Sequence, residues 1–146
     1  MEAPAAVFVY GTLKQGERNF VVSQQAGWQR SAPAYIEGYR LFHLPEGALR
    51  AYGYPAVVPG EGRVWGEVQW FADLTQALRV LDELEDEGYE YLRVPAVAHV
   101  QEGGPCRVWL YVYSGLESIQ RAQGRWLPEG IWCELVRSEA GQGGIV

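Results

Sequence analysis

The run VWLYVY at residues 108–113 constrains the fold more than any other segment, because it is apolar at every position. Successive side chains of a strand point to opposite faces, so the even positions place aliphatic residues on one face and the odd positions place aromatic residues on the other. A strand of this kind packs against a barrel interior on one side and against helices or a ligand cavity on the other. The run therefore predicts a small barrel with helices or a cavity outside it.

Further elements are predicted from apolar periodicity and from the Pro, Gly and Glu clusters between the runs. A short helix is predicted at residues 17–25. A longer helix begins after Asp73, which with Gln76 comes close to a capping box, and it ends at Gly88. The predicted strands cover residues 6–10, 34–44, 56–58, 64–71, 91–100 and 107–113. The apolar stripe of the longer helix consists of Leu74, Ala77, Leu78, Leu81 and Leu84.

These elements predict the α+β class, as a small mixed, mostly antiparallel β-barrel flanked by two or three short helices. The length of 146 residues fits one domain over residues 1–146, with a flexible Gly-rich tail at 138–146. The composition, 48% hydrophobic and 21% charged, excludes a disordered or fibrous chain. The sequence contains neither an internal repeat nor a linker.

Charge and hydropathy narrow the partners that we expect. The net charge of −6 argues against nucleic acid and anionic membranes as partners. No run reaches the ~20 apolar residues that cross a bilayer, and no basic stretch precedes the first apolar run as in a signal peptide. We therefore expect a soluble, cytoplasmic protein, a monomer or weak homodimer, whose partner is a small molecule.

Metal and cofactor chemistry is not expected. The two cysteines, Cys106 and Cys133, and the two histidines, His43 and His99, lack the clustered spacing of a zinc site. Both cysteines are expected to be partly buried free thiols. The sequence contains no GxGxxG, GxxxxGK[ST] or GxSxG motif. The chemistry must therefore come from carboxylates, hydroxyls and backbone groups.

Glu85 is the first candidate for that chemistry. On a helical wheel it lies about 20° from Leu74, inside the apolar stripe, whereas Glu83 lies at about 180° and Asp86 at about 120°. Burial, the C-terminal end of the helix dipole and four acidic neighbours should raise its pKa, as suits a group that takes and returns a proton near neutral pH. Two structural alternatives remain: a frayed helix end that turns Glu85 to water, and an ion pair with Arg93.

The segment Tyr10, Gly11, Thr12, Leu13 is the second candidate. It follows a buried strand and leads toward a helix, and such a loop can bind an anion such as a carboxylate through consecutive backbone N–H groups. Gly11 lets the backbone approach a ligand closely. The alternative is an ordinary strand-to-loop turn.

The chain resembles the γ-glutamylcyclotransferase-like proteins, in the branch that contains γ-glutamylamine cyclotransferase and the plant AIG2-like proteins. The resemblance covers five motifs in the family's order, from about residue 7 to residue 126. They are VFVYGTLKQGERN at 7–19, GYPAVV at 53–58 with VWGEV at 64–68, LDELE at 81–85 followed by YLR at 91–93, WLYVY at 109–113 and GRW at 124–126.

The resemblance implies a cofactor-independent enzyme that cyclises the γ-glutamyl group of a γ-glutamyl amine or γ-glutamyl amino acid to 5-oxoproline. It also implies that Glu85 is the general acid/base and that residues 10–13 bind the γ-glutamyl moiety. Tyr91 and Tyr113 are candidate cavity walls and hydroxyl donors, with aromatic core packing as the alternative. Arg93 is expected to orient Glu85 or its loop.

Three other functions remain open. One is a binding module of the same fold that has lost its activity, which the intact Glu85 argues against. Another is a two-carboxylate enzyme, such as a glycosidase, that pairs Glu85 with Glu67. The last is an interaction protein that exposes some of its six tryptophans.

Overall fold

The computed structural model describes residues 3–47 and 52–133, so the predicted flexible tail at 138–146 lies outside the described residues. Six strands and three short helices are present in this part of the chain. They follow one another as β1 (Ala6–Val9), α1 (Phe20–Gln25), β2 (Trp28–Leu44), β3 (Tyr54–Phe71), α2 (Leu74–Leu84), β4 (Tyr91–Val100), β5 (Gly104–Tyr113), α3 (Leu116–Arg121) and β6 (Arg125–Trp126).

Five of the strands close into a ring. The hydrogen-bonded order is β3-β1-β5-β4-β2, and β2 pairs again with β3, while the short β6 joins the edge of β2. All of these pairs are antiparallel except β1 with β5, which run parallel. The predicted α+β class, the mostly antiparallel strands and the few short helices are confirmed.

The two faces of the strands form two separate cores. The even positions of β5, Val108, Leu110 and Val112, belong to a cluster to which all five ring strands contribute, so this cluster fills the ring. Tyr111 and Tyr113 belong to a second cluster that also contains buried residues of α2 and α3. The two-sided pattern of the VWLYVY run therefore predicted correctly what packs on each face.

Helix α2 forms for the local reasons read from its sequence. The Asp73 carboxylate accepts a hydrogen bond from the Gln76 backbone N–H at 3.2 Å and so caps the first turn. Ala77, Leu78 and Leu81 are buried against the sheet. The helix ends at Leu84, and Glu85 is its C-cap residue, whose N–H still bonds to the Leu81 carbonyl at 2.9 Å.

The predicted gap between strands at 56–58 and 64–71 is wrong, because β3 runs through it as one strand. Glu37 of its partner β2 pairs with Arg63, and Tyr39 pairs with Pro59, so that two steps along β2 correspond to four along β3. Residues 60–62 of β3 therefore form a bulge opposite Gly38, inside a long hairpin. The sequence interpretation also overlooked α3 and β6.

Candidate active site

A cavity of about 270 Å³ lies where the loop after β1, the start of β3 and the turn between α2 and β4 meet. Its position follows from the ring, because the parallel pairing of β1 with β5 brings the C-terminal ends of these two strands together. It is lined by Phe8, Val9, Tyr10, Gly11, Thr12, Leu13, Asn19, Tyr52, Tyr54, Pro55, Leu84, Glu85, Glu90, Tyr91 and Tyr111.

The loop of residues 10–13 is held in shape by its own chain. The Lys14 N–H donates to the Gly11 carbonyl at 3.0 Å, which closes a turn. Asn19 fixes Thr12 twice: its backbone N–H donates to the Thr12 carbonyl at 2.8 Å, and its side-chain amide donates to the Thr12 hydroxyl at 3.1 Å. The loop is therefore a preformed wall of the cavity.

Gly11 is required by a close approach to Pro55. A Cβ atom on Gly11 would lie 2.0 Å from Cγ of Pro55, far inside van der Waals contact. Both residues line the cavity, so two segments that are distant in sequence share one wall. The close approach that the structure shows at Gly11 is that of Pro55, and the predicted close approach to a ligand stays a prediction.

The Glu85 side chain faces the cavity rather than bulk water. It is partly buried, and burial raises its pKa to about 8, with a further contribution from the negative charge of Glu90. The predicted rise in pKa is therefore present, although the carboxylate that adds to it is not one of the four helix neighbours. Glu85 can hold or release a proton near neutral pH.

Glu90 is a second carboxyl in the cavity wall, which the sequence interpretation missed. The Tyr54 hydroxyl donates a hydrogen bond to its Oε2 atom. The residue lies beyond the turn that follows α2, where helical periodicity no longer indicates a direction. The one feature of the sequence that could have indicated Glu90 is that it directly precedes Tyr91, the first residue of β4.

Three further tyrosine hydroxyls around the cavity, besides that of Tyr54, donate to protein acceptors. Tyr10 donates to the Tyr111 carbonyl at 2.6 Å, and Tyr91 donates to the Pro55 carbonyl at 2.6 Å. The Tyr111 hydroxyl donates to Asp82 at 2.7 Å. Burial raises the pKa of all three phenols, so they remain protonated over the working pH range. Tyr10, Tyr91 and Tyr111 therefore form part of the cavity wall as neutral side chains.

Tyr113 lies behind this wall. It is not among the cavity-lining residues of the described chain, and its ring packs edge-on against Tyr91 with the centroids 5.2 Å apart. For Tyr113 the structure favours the alternative of aromatic packing. Tyr91 is both a cavity wall and a core residue, only 3% exposed.

Arg93 does not pair with Glu85. Its guanidinium binds Asp82 with two hydrogen bonds, from Nε at 2.8 Å and from Nη2 at 3.1 Å, and it lies 4.5 Å from the Trp109 ring centroid. The ion pair of Arg93 with Glu85, one of the two structural alternatives, is therefore not formed. Arg93 instead holds α2 at Asp82, one turn before Glu85, and its expected role in orienting Glu85 or its loop stays a prediction.

The structure therefore brings six of the predicted site residues together in one cavity and separates two. Tyr10, Gly11, Thr12, Leu13, Glu85 and Tyr91 line the cavity, whereas Tyr113 and Arg93 support it from behind. The lining residues Asn19, Tyr52, Tyr54, Glu90 and Tyr111 were not predicted.

Glu67 is not among the described cavity-lining residues. Its carboxylate accepts hydrogen bonds from the Gln15 N–H at 3.2 Å and the Gln69 side-chain amide at 2.9 Å. The pairing of Glu85 with Glu67 that a glycosidase would need is therefore absent among residues 3–47 and 52–133.

The described residues contain no group of three or more His, Cys, Asp and Glu side chains placed to hold a metal ion. Cys106 and Cys133 are free thiols and partly buried, as expected. None of the described helices combines the length and hydropathy needed to cross a membrane.

Comparison with known proteins assigns the family. The sequence model for gamma-glutamyl cyclotransferase, AIG2-like, matches residues 7–134. This chain belongs to that family. Family membership supports a cyclotransferase enzyme, and the matched range contains every residue of the cavity.

Individual members of the gamma-glutamyl cyclotransferase family agree with this assignment. The gamma-glutamylcyclotransferase family protein YtfP of Escherichia coli is 35% identical over 127 residues, which cover 83% of this chain and 95% of YtfP. The Citrobacter rodentium protein of the same name is 34% identical over 127 residues, covering 83% and 94%. An AIG2-like protein from Mus musculus shares the fold, with a TM-score of 0.64 at 24% identity and 90% coverage of both chains.

Proposed function

We propose that this protein is a cofactor-independent cyclotransferase that converts the γ-glutamyl group of a γ-glutamyl amine or γ-glutamyl amino acid to 5-oxoproline. The amine or amino acid is released. One observation carries the proposal: a carboxyl group with a pKa of about 8, Glu85, shares a cavity with the preformed loop of residues 10–13.

The reaction needs a base, because an α-ammonium group is not a nucleophile until it loses a proton. The Glu85 carboxylate takes that proton, and the free amine attacks the γ-carbonyl carbon of the same glutamyl group. The new C–N bond closes a five-membered ring and gives a tetrahedral intermediate. Protonated Glu85 then gives its proton to the leaving nitrogen as the bond between that nitrogen and the γ-carbon breaks. The released amine takes the second proton from the new ring nitrogen and leaves as an ammonium ion, so that the products are 5-oxoproline and the protonated amine and Glu85 is a carboxylate again.

The rest of the cavity supplies orientation. Consecutive backbone N–H groups in the loop of residues 10–13 suit the α-carboxylate of the substrate. Because the nucleophile and the carbonyl belong to one molecule, holding the glutamyl chain in a folded shape provides much of the rate enhancement. The buried tyrosine walls restrict both water and the shapes that the substrate can adopt.

A second candidate function is a binding module of the same fold without catalysis. The preformed loop would serve such a module equally well. Glu85 favours the enzyme. Burying an ionisable carboxyl group beside a second one lowers the stability of the fold, and a carboxyl group in the cavity does not help to bind an anionic substrate.

The test is release of 5-oxoproline from a panel of γ-glutamyl amines and γ-glutamyl amino acids, measured by mass spectrometry. Glu85→Gln keeps the side-chain shape and removes the base, so we expect it to lower kcat at least about 100-fold. Glu83→Gln is the matched control, since Glu83 is an exposed residue of the same helix.

Equal release by the wild-type protein and Glu85→Gln would show that Glu85 is not the base. Absence of release by either protein, together with binding of a γ-glutamyl compound by calorimetry, would favour the binding module. Release by the wild-type protein and Glu83→Gln alone supports the proposal.

A further inference from the structure

The cavity contains a carboxyl group that the proposed reaction does not use. Glu90 lines the cavity together with Glu85, and its Oε2 atom accepts a hydrogen bond from the Tyr54 hydroxyl. Tyr54 is itself packed between aromatic neighbours, 6.2 Å from the Tyr52 ring centroid and 6.5 Å from that of Tyr91. The Glu90 carboxyl is therefore held at the wall.

The backbone also fixes Glu90. Its N–H donates to the Asp86 carbonyl at 3.1 Å, and its carbonyl accepts the Ser114 N–H at 3.0 Å. The turn before it passes through two left-handed residues, Asp86 at φ 52° and Gly88 at φ 94°. This reversal brings two carboxyl groups that are five positions apart to the same cavity.

Apart from Glu85 and Glu90, the titratable residues that line the cavity in the described part of the chain are tyrosines. Tyr10 follows β1, Tyr91 begins β4 and Tyr111 lies on β5, and each phenol has its pKa raised, with the Glu85 charge contributing. On α2 itself, Asp82 is bound by the Arg93 guanidinium of β4.

At the loop side of the cavity, the Arg18 guanidinium lies over the Tyr52 ring, 3.8 Å from its centroid.

Glu90 is the group whose negative charge adds to the effect of burial on the pKa of Glu85. We infer that Glu90, held by Tyr54, is a positioning carboxylate of the site that acts on the reaction through like-charge repulsion of Glu85.

This inference rests on the proposed function and adds a residue to it. Repulsion by the Glu90 carboxylate keeps the proton on Glu85 to higher pH, where Glu85 can return it to a leaving nitrogen. With a pKa of about 8 for Glu85, kcat/KM of the wild-type protein should rise about tenfold per pH unit below pH 8 and then level off.

The test compares pH profiles of kcat/KM for 5-oxoproline release. Glu90→Gln keeps an acceptor for Tyr54 and removes the negative charge, so the pKa of Glu85 falls and the midpoint of the rise moves to lower pH by about one unit. Glu90→Asp retains the charge and should move the midpoint less. Glu83→Gln removes one charge from the exposed face of α2 and should leave the midpoint unchanged.

A second measurement does not need activity. The carboxyl carbon of Glu85 is titrated by NMR in protein labelled with ¹³C at glutamate Cδ, and its signal is assigned by its absence in Glu85→Gln. We expect the same fall in midpoint in Glu90→Gln.

The outcomes separate this inference from the proposed reaction. A lower midpoint in both measurements supports the inference, whereas an unchanged Glu85 titration in folded Glu90→Gln overturns it. Loss of activity in Glu90→Gln at every pH, with Glu85→Gln still active, would make Glu90 the base and also overturn it. A shifted titration without any 5-oxoproline release by the wild-type protein would reject the reaction and retain the coupling between the two carboxyls.

Discussion

Gly11 and Pro55 approach each other closely in the cavity wall, and glycine is present because nothing larger fits. A methyl group on Gly11 would lie 2.0 Å from Cγ of Pro55, and the proline ring is rigid. We expect Gly11→Ala to lower the free energy of unfolding by about 1–3 kcal/mol, because the loop or the start of β3 must move apart. Urea denaturation measures this loss.

The same displacement moves the backbone N–H groups of residues 10–13, so Gly11→Ala should also weaken binding of a γ-glutamyl compound. Gly103→Ala is the matched control, since a Cβ atom there meets Val100 at an ordinary 3.4 Å. Similar losses for the two variants would contradict a special role for the contact between Gly11 and Pro55.

At the residue scale, the sequence identified Glu85 because it extends a periodic stripe, and periodicity is a local signal. Glu90 could not be found in this way. Its direction depends on the left-handed turn at Asp86 and Gly88 and on the hydroxyl of Tyr54, which comes from β3.

At the scale of elements, Asp82 fastens α2 to two strands. Its carboxylate accepts two hydrogen bonds from Arg93 on β4 and one from the Tyr111 hydroxyl on β5. The side chains of Asp82 and Arg93 are 27% and 22% exposed, so the pair is partly shielded from water. Glu85 follows Asp82 by about one helical turn, so the bonds of Asp82 to β4 and β5 also fix the position of Glu85 in the cavity.

We expect Asp82→Asn to lower the free energy of unfolding by about 1.5–3 kcal/mol, since the amide gives up the charge and cannot accept all three hydrogen bonds. Asp73→Asn makes the same substitution at the N-cap of the same helix, where asparagine caps equally well, and should cost almost nothing. Denaturation of both variants tests the difference, and equal stabilities would show that the Arg93 pair does not anchor α2.

The elements that were predicted well are those whose pattern is local. β4 has the predicted bounds, and α2 begins where its capping residue indicated. The bulge in β3 and the short α3 were missed, because the first depends on pairing with β2 and the second has neither a side-chain cap nor more than one buried residue.

At the scale of the whole molecule, the ring depends on pairs between distant parts of the sequence. β1 pairs with β5, and Ala6 lies opposite Val108. A local sequence pattern does not indicate which strands are hydrogen-bonded neighbours. The sequence therefore predicted a barrel but not its strand order. The cavity's composition follows from that order, since Tyr111 reaches the cavity through this pairing.

The interior of the ring is completed by residues that belong to no strand. Leu127 and Trp132 follow β6, and both are members of the interior cluster, with Trp132 0% exposed. The Trp132 indole N–H donates to Nδ1 of His43 at 3.0 Å, and its carbonyl accepts from Nζ of Lys14 at 2.5 Å. The segment after β6 therefore packs into the ring interior and also binds Lys14, the residue that directly follows the cavity loop of residues 10–13.

We expect Trp132→Ala to lower the free energy of unfolding by about 3–5 kcal/mol, because it empties the largest fully buried side-chain volume and removes the indole donor to His43. Trp65→Ala, at a residue that is 39% exposed, is the matched control and should cost distinctly less. Urea denaturation followed by circular dichroism gives both values. Since the two cores share the same five strands, loss of γ-glutamyl ligand binding should coincide with unfolding of Trp132→Ala. A loss no larger than that of Trp65→Ala would mean that the segment after β6 is not part of the core that supports the site.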